Sequence, residues 1–228
     1  MRVKVIIPAF NEEESIAHVI NDIPKEYVEE VIVCNNSSTD RTEEVARNAG
    51  ATVVLAEQAG YGNACLRGLE YIATQELTAP DVVVFLDGDY SDYPHQMVGL
   101  LDKIKQGYDL VIGSRSLGKR ESGSMTFPQV FGNWLATILM SLLYGARYTD
   151  LGPFRAIKYE VLKAIQMEDK TYGWTIEMQM KVLRRGYSYT EIPVDYKNRI
   201  GVSKISGTVK GVIGAGFKII TSIFKYRK

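Results

Sequence analysis

Through the first half of the chain, short unbroken runs of valine, isoleucine and leucine alternate with stretches whose apolar residues recur at helical spacing. Unbroken apolar runs suit strands covered on both faces, and their alternation with helices is the pattern of βαβ units on a mainly parallel sheet. The pattern predicts strands at residues 2–8, 30–35, 52–56 and 81–87, with a fifth at 110–113. Helices are expected at 13–23, after an acidic start, at 39–48, ending before Gly50, and at 61–75, opening beside Gly60 and Gly62. Residues 116–125 are polar and rich in glycine and serine, as in loops that close over substrates, and an apolar helix follows at about 133–144.

The last stretch has a different texture. Val209, Val212, Ile213, Phe217, Ile220 and Phe224 interleave with Lys204, Lys210, Lys218 and Lys225. This predicts a basic amphipathic helix within 201–228, appended to a domain of residues 1–200. Such a helix can lie on an anionic membrane surface with its apolar face buried, or pack on its own domain or another subunit.

A chain of 228 residues, 46% hydrophobic, can bury a sizeable core as one α/β domain. Lys and Arg total 27 and Asp and Glu total 27, so no overall field favours nucleic acid. Cys34 and Cys65 follow no disulfide or metal spacing and sit among apolar or small residues, which fits buried thiols in a reducing cytosol. The N-terminus turns acidic too soon for a signal peptide, and the longest apolar stretch, 134–144, is about half of the roughly 20 residues that span a bilayer. The expectation is a cytoplasmic protein able to sit peripherally on the membrane face. His18 and His95 have no second histidine nearby and read as structural.

Open α/β sheets bind ligands at the carboxyl ends of their strands, so the polar residues there belong together. Ala9, Phe10, Asn11 and Glu12 follow the first strand, Asn35 to Asp40 the second, and Asp87-Gly88-Asp89 the fourth. Two carboxylates two residues apart, with a glycine between them, suit Mg²⁺ or Mn²⁺, which bind through one or two carboxylates and share substrate phosphates. A solvated Asp-Gly turn would produce the same residues. No G-x-G-x-x-G follows the first strand, which excludes a dinucleotide-binding dehydrogenase.

Seven motifs in order carry a resemblance: PAFNEE at 8–13, NNSSTDRT at 35–42, DGD at 87–89, GSR at 113–115, DLGPFRAI at 150–157, YGWTIEMQ at 172–179 and RIGVSK at 199–204. The first three resemble family 2 of the inverting glycosyltransferases. The others look like its branch of dolichyl-phosphate mannose and polyprenyl-phosphate glucose synthases. The resemblance implies the GT-A nucleotide-diphospho-sugar transferase fold, a mainly parallel sheet with helices on both faces. It also implies a metal-dependent transfer of a hexose from a UDP- or GDP-sugar to an acceptor with inversion, the acceptor being a polyprenyl phosphate.

By position, the resemblance places Pro8, Asn11, Glu12, Asn36, Asp40, Asp87 and Gly88 at the nucleotide. Asp89 becomes the principal ligand of Mg²⁺ or Mn²⁺, with Ser91 in the third-ligand position and Asp92 or water as its substitute. Arg199, Ser203 and Lys204 would answer the leaving diphosphate. The family usually carries Asp at the position of Asn36, where a carboxylate accepts an N–H from uracil or guanine; an amide both donates and accepts, which leaves the base open. Arg115 and Arg155 are the candidates for an acceptor phosphate, since an arginine fork binds two oxygens. The further basic residue that relatives carry near Gln129 is missing here. Glu177 and Asp150 are the candidate bases for a hydroxyl acceptor, and a lipid phosphate, already ionised, would need neither. Glu177 could instead sit on an exposed helix face and Asp150 could cap its turn. The rival readings are a soluble transferase acting on a small hydroxylated acceptor and a non-catalytic nucleotide-binding module. The oligomeric state is not encoded in any pattern seen.

Overall fold

The computed structural model describes residues 1–75, 77, 79–201 and 209–225. In chain order the elements are β1 (Val3–Ala9), α1 (Ile16–Asp22), β2 (Glu30–Asn35), α2 (Thr42–Asn48), β3 (Thr52–Leu55), α3 (Tyr61–Ala73), β4 (Val82–Phe85), α4 (Met97–Lys105) and β5 (Leu110–Ser114). They are followed by α5 (Phe127–Tyr144), β6 (Arg155–Lys158), α6 (Tyr159–Ile165), α7 (Trp174–Arg184), β7 (Tyr189–Pro193) and α8 (Val209–Lys225).

The strands form one sheet in the order β3-β2-β1-β4-β6-β5-β7. β1, β2, β3 and β4 run parallel, as the apolar runs predict, and β6 enters antiparallel between β4 and β5. Successive strand residues point to opposite faces, so one run feeds two cores. Ile6, Ile32, Val83 and Phe85 pack with α3, α5, α6 and α7, whereas Val5, Ile7, Val33 and Val84 pack with α1, α2 and α4. The inner stretches of β1, β2 and β4 are therefore apolar on both faces, apart from Lys4, which pairs with Glu30 at 2.9 Å.

Several boundaries differ from the sequence pattern. α1 starts at Ile16, because residues 12–15 form a turn in which the amides of Ser15 and Ile16 both donate to Glu12 O. α5 starts at Phe127, six residues earlier than expected, where Thr126 and Gln129 form a capping box and Pro128 lies in the first turn. α8 packs on α5 and α7, with Ile223 buried, the Tyr144 hydroxyl donating to Ile223 O, and Lys218 paired with Asp169 at 2.9 Å. Ser203 and Lys204 lie outside the described residues.

Candidate active site

The carboxyl ends of β1, β2 and β4 meet as the topology requires, and their turns brace one another. Asn11 holds a positive φ of 54°, which turns its side chain so that its Oδ1 accepts the Thr39 amide at 2.8 Å. The Asp40 carboxylate accepts the Thr42 amide at 2.9 Å and the Glu13 amide at 3.2 Å. These bonds hold it below the ordinary carboxylate range against the opposing effect of burial. Asn11 and Asp40 thus fix the loops that follow β1 and β2.

Asn36 does the same work from β2. Its Nδ2 donates to Ala56 O and Gln58 O at 3.0 and 2.7 Å, and its Oδ1 accepts the Gly60 amide at 2.8 Å. An Asp in this place could donate to neither carbonyl, which gives the departure from the family pattern a structural reason.

At the centre stands the acidic turn. Asp87 accepts the Tyr61 hydroxyl at 2.9 Å. Burial and the neighbouring charge of Asp89 raise its pKa well above the usual carboxylate range. Asp89, 7% exposed, pairs with Arg199 at 3.0 Å, and the same guanidinium pairs with Glu12 at 2.9 Å. Ser91 directs its hydroxyl and its amide onto Asp89 Oδ1 at 2.5 and 3.0 Å, so in this arrangement it orients the candidate ligand. Asp92 is buried with no hydrogen-bond partner for either carboxylate oxygen among the described residues; burial and the charge of Asp87 push its pKa well up.

Two cavities meet at this turn and share Tyr61, Asp87, Asp89, Tyr172 and Arg199. The first, about 340 Å³, is lined by Pro8, Phe10, Glu12, Asn36 and Gly88, and so brings together Pro8, Glu12, Asn36 and Gly88 of the set expected at the nucleotide. The second, about 290 Å³, lies against α5 with Arg115 in its wall and Met125, Pro128, Leu151, Pro153 and Trp174 around it. Of the four residues expected to be catalytic, only Arg115 lines a cavity.

The other three are drawn into the protein. Asp150, 0% exposed, takes Arg115 in a two-pronged pair at 2.7 and 2.8 Å, and Arg115 also stacks over Tyr196. Burial would raise the Asp150 pKa, but Arg115 outweighs it and holds the carboxyl low, which makes it a poor base and a firm support for the arginine. Arg155 is fully buried and donates to the carbonyls of Leu151, Gly152 and Thr175, fixing the wall of the second cavity; burial pushes its pKa down to about 10. Glu177, also fully buried, accepts the amides of Glu168 and Asp169 at 3.0 and 2.7 Å and pairs with Lys181 at 2.8 Å. The 168–170 backbone it holds presses on Gly62, where a Cβ would lie 1.9 Å from Asp169 O. Glu177 thus clasps the backbone behind the Gly60–Gly62 side of the first cavity, and the alternative of an exposed helical Glu is overturned by its full burial.

A profile of the family described as Glycosyl transferase family 2 matches residues 4–166, well over half of the chain. The chain belongs to glycosyl transferase family 2. Among relatives of this glycosyltransferase, the dolichyl-phosphate hexose transferase of Haloferax volcanii is 34% identical over 207 residues, covering 88% of this chain and 85% of that one. Glycosyltransferase AglJ of the same organism is 33% identical over 196 residues, 86% of this chain, which spans only 63% of AglJ's length. Among solved structures, glucosyl-3-phosphoglycerate synthase of Mycobacterium tuberculosis, in complex with Mn²⁺, UDP-glucose and phosphoglyceric acid, superposes with a TM-score of 0.79 at 24% identity, covering 99% of this chain and 79% of that one. The glycosyltransferase therefore has the GT-A fold expected from its motifs.

Tyr61 and Tyr172, shared by both cavities, escaped the motif reading. Tyr61 opens α3 just after Gly60, and that helix start beside a glycine was the available signal. Tyr172 heads the YGWTIEMQ motif, in which attention falls on the carboxylate instead.

Proposed function

We propose that this glycosyltransferase moves a hexose from a UDP- or GDP-sugar to the phosphate of a polyprenyl lipid, with inversion, using Mg²⁺ or Mn²⁺ at Asp89. One observation carries the choice of acceptor. The carboxylates lining the second cavity are Asp87 and Asp89, which face the donor, while both candidate bases are buried elsewhere. A hydroxyl nucleophile needs a base at this place; a phosphate is ionised at neutral pH and needs only orientation. Arg115, held rigid by Asp150, supplies that orientation, and the apolar lining suits the first units of an isoprenoid chain.

The donor side fits a hard cation. Arg199 already places positive charge between Glu12 and Asp89, and the donors there are all oxygens. Among the described residues no group of three His, Cys, Asp or Glu could hold a metal. Diphosphate oxygens and water would complete a shell begun by Asp89. Bound there, the cation would neutralise charge on the leaving diphosphate. Arg199 would meet the same oxygens, and the Tyr61 hydroxyl, which donates to Asp87, would keep that carboxyl in place for the nucleotide.

No helix among the described residues is long and apolar enough to cross a membrane. Peripheral attachment is supported by α5, whose Phe127, Phe131 and Trp134 are 80%, 48% and 54% exposed at helical spacing on the element that walls the acceptor cavity. Aromatic side chains favour the membrane–water interface. α8, with Phe217 and Phe224 exposed, adds to the same side through its packing on α5.

The test is an acceptor panel. With UDP-glucose or GDP-mannose and Mn²⁺, labelled sugar should pass to undecaprenyl or dolichyl phosphate in detergent and extract into organic solvent. Transfer to 3-phosphoglycerate alone would favour the small-acceptor reading, and nucleotide binding with no transfer to either would favour a non-catalytic module.

A further inference from the structure

The arm that carries Arg199 is fastened to the acidic turn by more than its ion pairs. Lys197 N donates to Ser91 O at 2.9 Å, Ile200 N donates to Asp89 O at 3.0 Å, and Tyr196 bridges Asp92. Between these backbone contacts the Lys197 ammonium lies 3.1 Å from the centre of the Tyr90 ring and 4.5 Å from that of Tyr93. Tyr90 is the residue immediately after Asp89 and holds a positive φ of 60°, a conformation that a bulky side chain adopts only when its surroundings enforce it. Those surroundings are visible. His18 stacks on the Tyr90 ring at 5.3 Å, and the Tyr90 hydroxyl donates to Asp22. Tyr93 in turn meets the His95 ring edge-on at 5.8 Å.

A cation over two aromatic faces is held by the ring quadrupoles, and neither ring can leave without releasing it. The two aromatics belong to the turn that presents Asp89, and the cation lies two residues before Arg199. We propose that Lys197, gripped by Tyr90 and Tyr93, is a positioning residue that sets Arg199 across the Glu12–Asp89 pair and so places its charge for the leaving diphosphate. The inference rests on the reading of Arg199 as a diphosphate partner. It explains why two tyrosines follow the acidic turn and why a half-buried lysine with no paired carboxylate among the described residues is tolerated there.

Lys197→Met keeps the stem and removes the cation, whereas Lys197→Arg keeps a cation that can stack. Isothermal titration with UDP and with GDP, each with Mn²⁺, reads the donor side. For whichever nucleotide the wild type binds, Lys197→Met should weaken binding about tenfold, Lys197→Arg by less than about threefold, and Lys197→Met added to Arg199→Ala should change nothing further. An additive loss in the Arg199→Ala background, or equal losses for Met and Arg at position 197, would overturn the proposal, because a merely structural lysine would act independently of Arg199. Hydrogen exchange on the nucleotide-free protein tests the latch separately. The Ile200 amide should lose protection in Lys197→Met and keep it in Lys197→Arg, and unchanged protection in Lys197→Met would also overturn it. If the wild type bound neither nucleotide, the proposed function would fail while the exchange result still decided the latch.

Discussion

Arg199 lies 3.0 Å from Asp89 and reaches Glu12 with its other terminal nitrogen, so one guanidinium joins the turn after β4 to the turn after β1. Charge balance at the site then has a simple form. Asp87, Asp89 and Glu12 face one arginine in the space where a diphosphate and its cation would bring both signs of charge. The two cavities meet at this arginine, and under the proposed function the transferred sugar would lie at their junction.

Glu177 holds backbone, and its substitution should show it. Removing a general base costs roughly 100-fold or more in kcat and removes a limb of the pH profile. Glu177→Gln should leave the shape of the pH profile intact with a much smaller fall in kcat. It should lower the melting temperature, since hydrogen bonds to a charged group are worth about 1.5–3 kcal/mol. A pH-independent variant with a collapsed kcat would restore Glu177 as base.

The Arg115–Asp150 pair separates binding from stability. Arg115→Met leaves Asp150 charged and buried and should destabilise the fold by about 3–5 kcal/mol in chemical denaturation. Arg115→Lys keeps the charge but loses the two-pronged geometry, so the fold should persist while KM for the phosphate acceptor rises and KM for the donor stays near its original value. Equal effects on both substrates would place Arg115 outside the acceptor side.

Acid should destabilise the protein through identifiable groups. Burial acts to raise Asp150 and Asp169, but Arg115 in one case and Lys218 in the other outweigh it and hold both below the ordinary value. A carboxyl depressed in the folded state contributes stability above its unfolded pKa, about 3.9, and loses that contribution as pH falls toward its folded value. Asp87 and Asp92, held above the ordinary value, act the other way as pH falls from about 7 toward 4, so urea midpoints should hold or rise over that range and then drop below about pH 4. Asp169→Asn should flatten part of that drop. A midpoint that keeps rising below about pH 4 would contradict these assignments.

Much of this was legible in the chain. The four parallel strands appeared as apolar runs because both faces of each are covered, and the residues after them converged because strand ends in such sheets converge. β6 and β7 were missed for physical reasons. β6 is four residues, Arg155–Lys158, with a buried arginine at its start, and β7 is an edge strand of half-buried residues whose apolar signal is diluted. The site motifs converge on the two cavities around Asp87 and Asp89, while the partners of each side chain are not legible in them. The burial of Glu177, Asp150 and Arg155 and their bonds to backbone and to Lys181 or Arg115 could not be read from the sequence, because structural and catalytic charges share the same residue types.

The exposed aromatic face of α5 predicts membrane behaviour. Full-length protein should co-sediment with liposomes containing anionic lipid, and Phe131→Ser with Trp134→Ser should reduce pelleting severalfold without lowering the melting temperature. Truncation before Val209 tests α8 in the same assay. Equal pelleting of all three forms would remove both surfaces from membrane contact.

The most direct test of the central claim is a titration of nucleoside diphosphates against the wild type and Asp89→Ala, with Mn²⁺ and with chelator. The account predicts that UDP or GDP binds the wild type and raises its melting temperature only when Mn²⁺ is present, and that Asp89→Ala loses this metal-dependent gain while remaining folded. Metal-independent binding of equal strength in both proteins would contradict it.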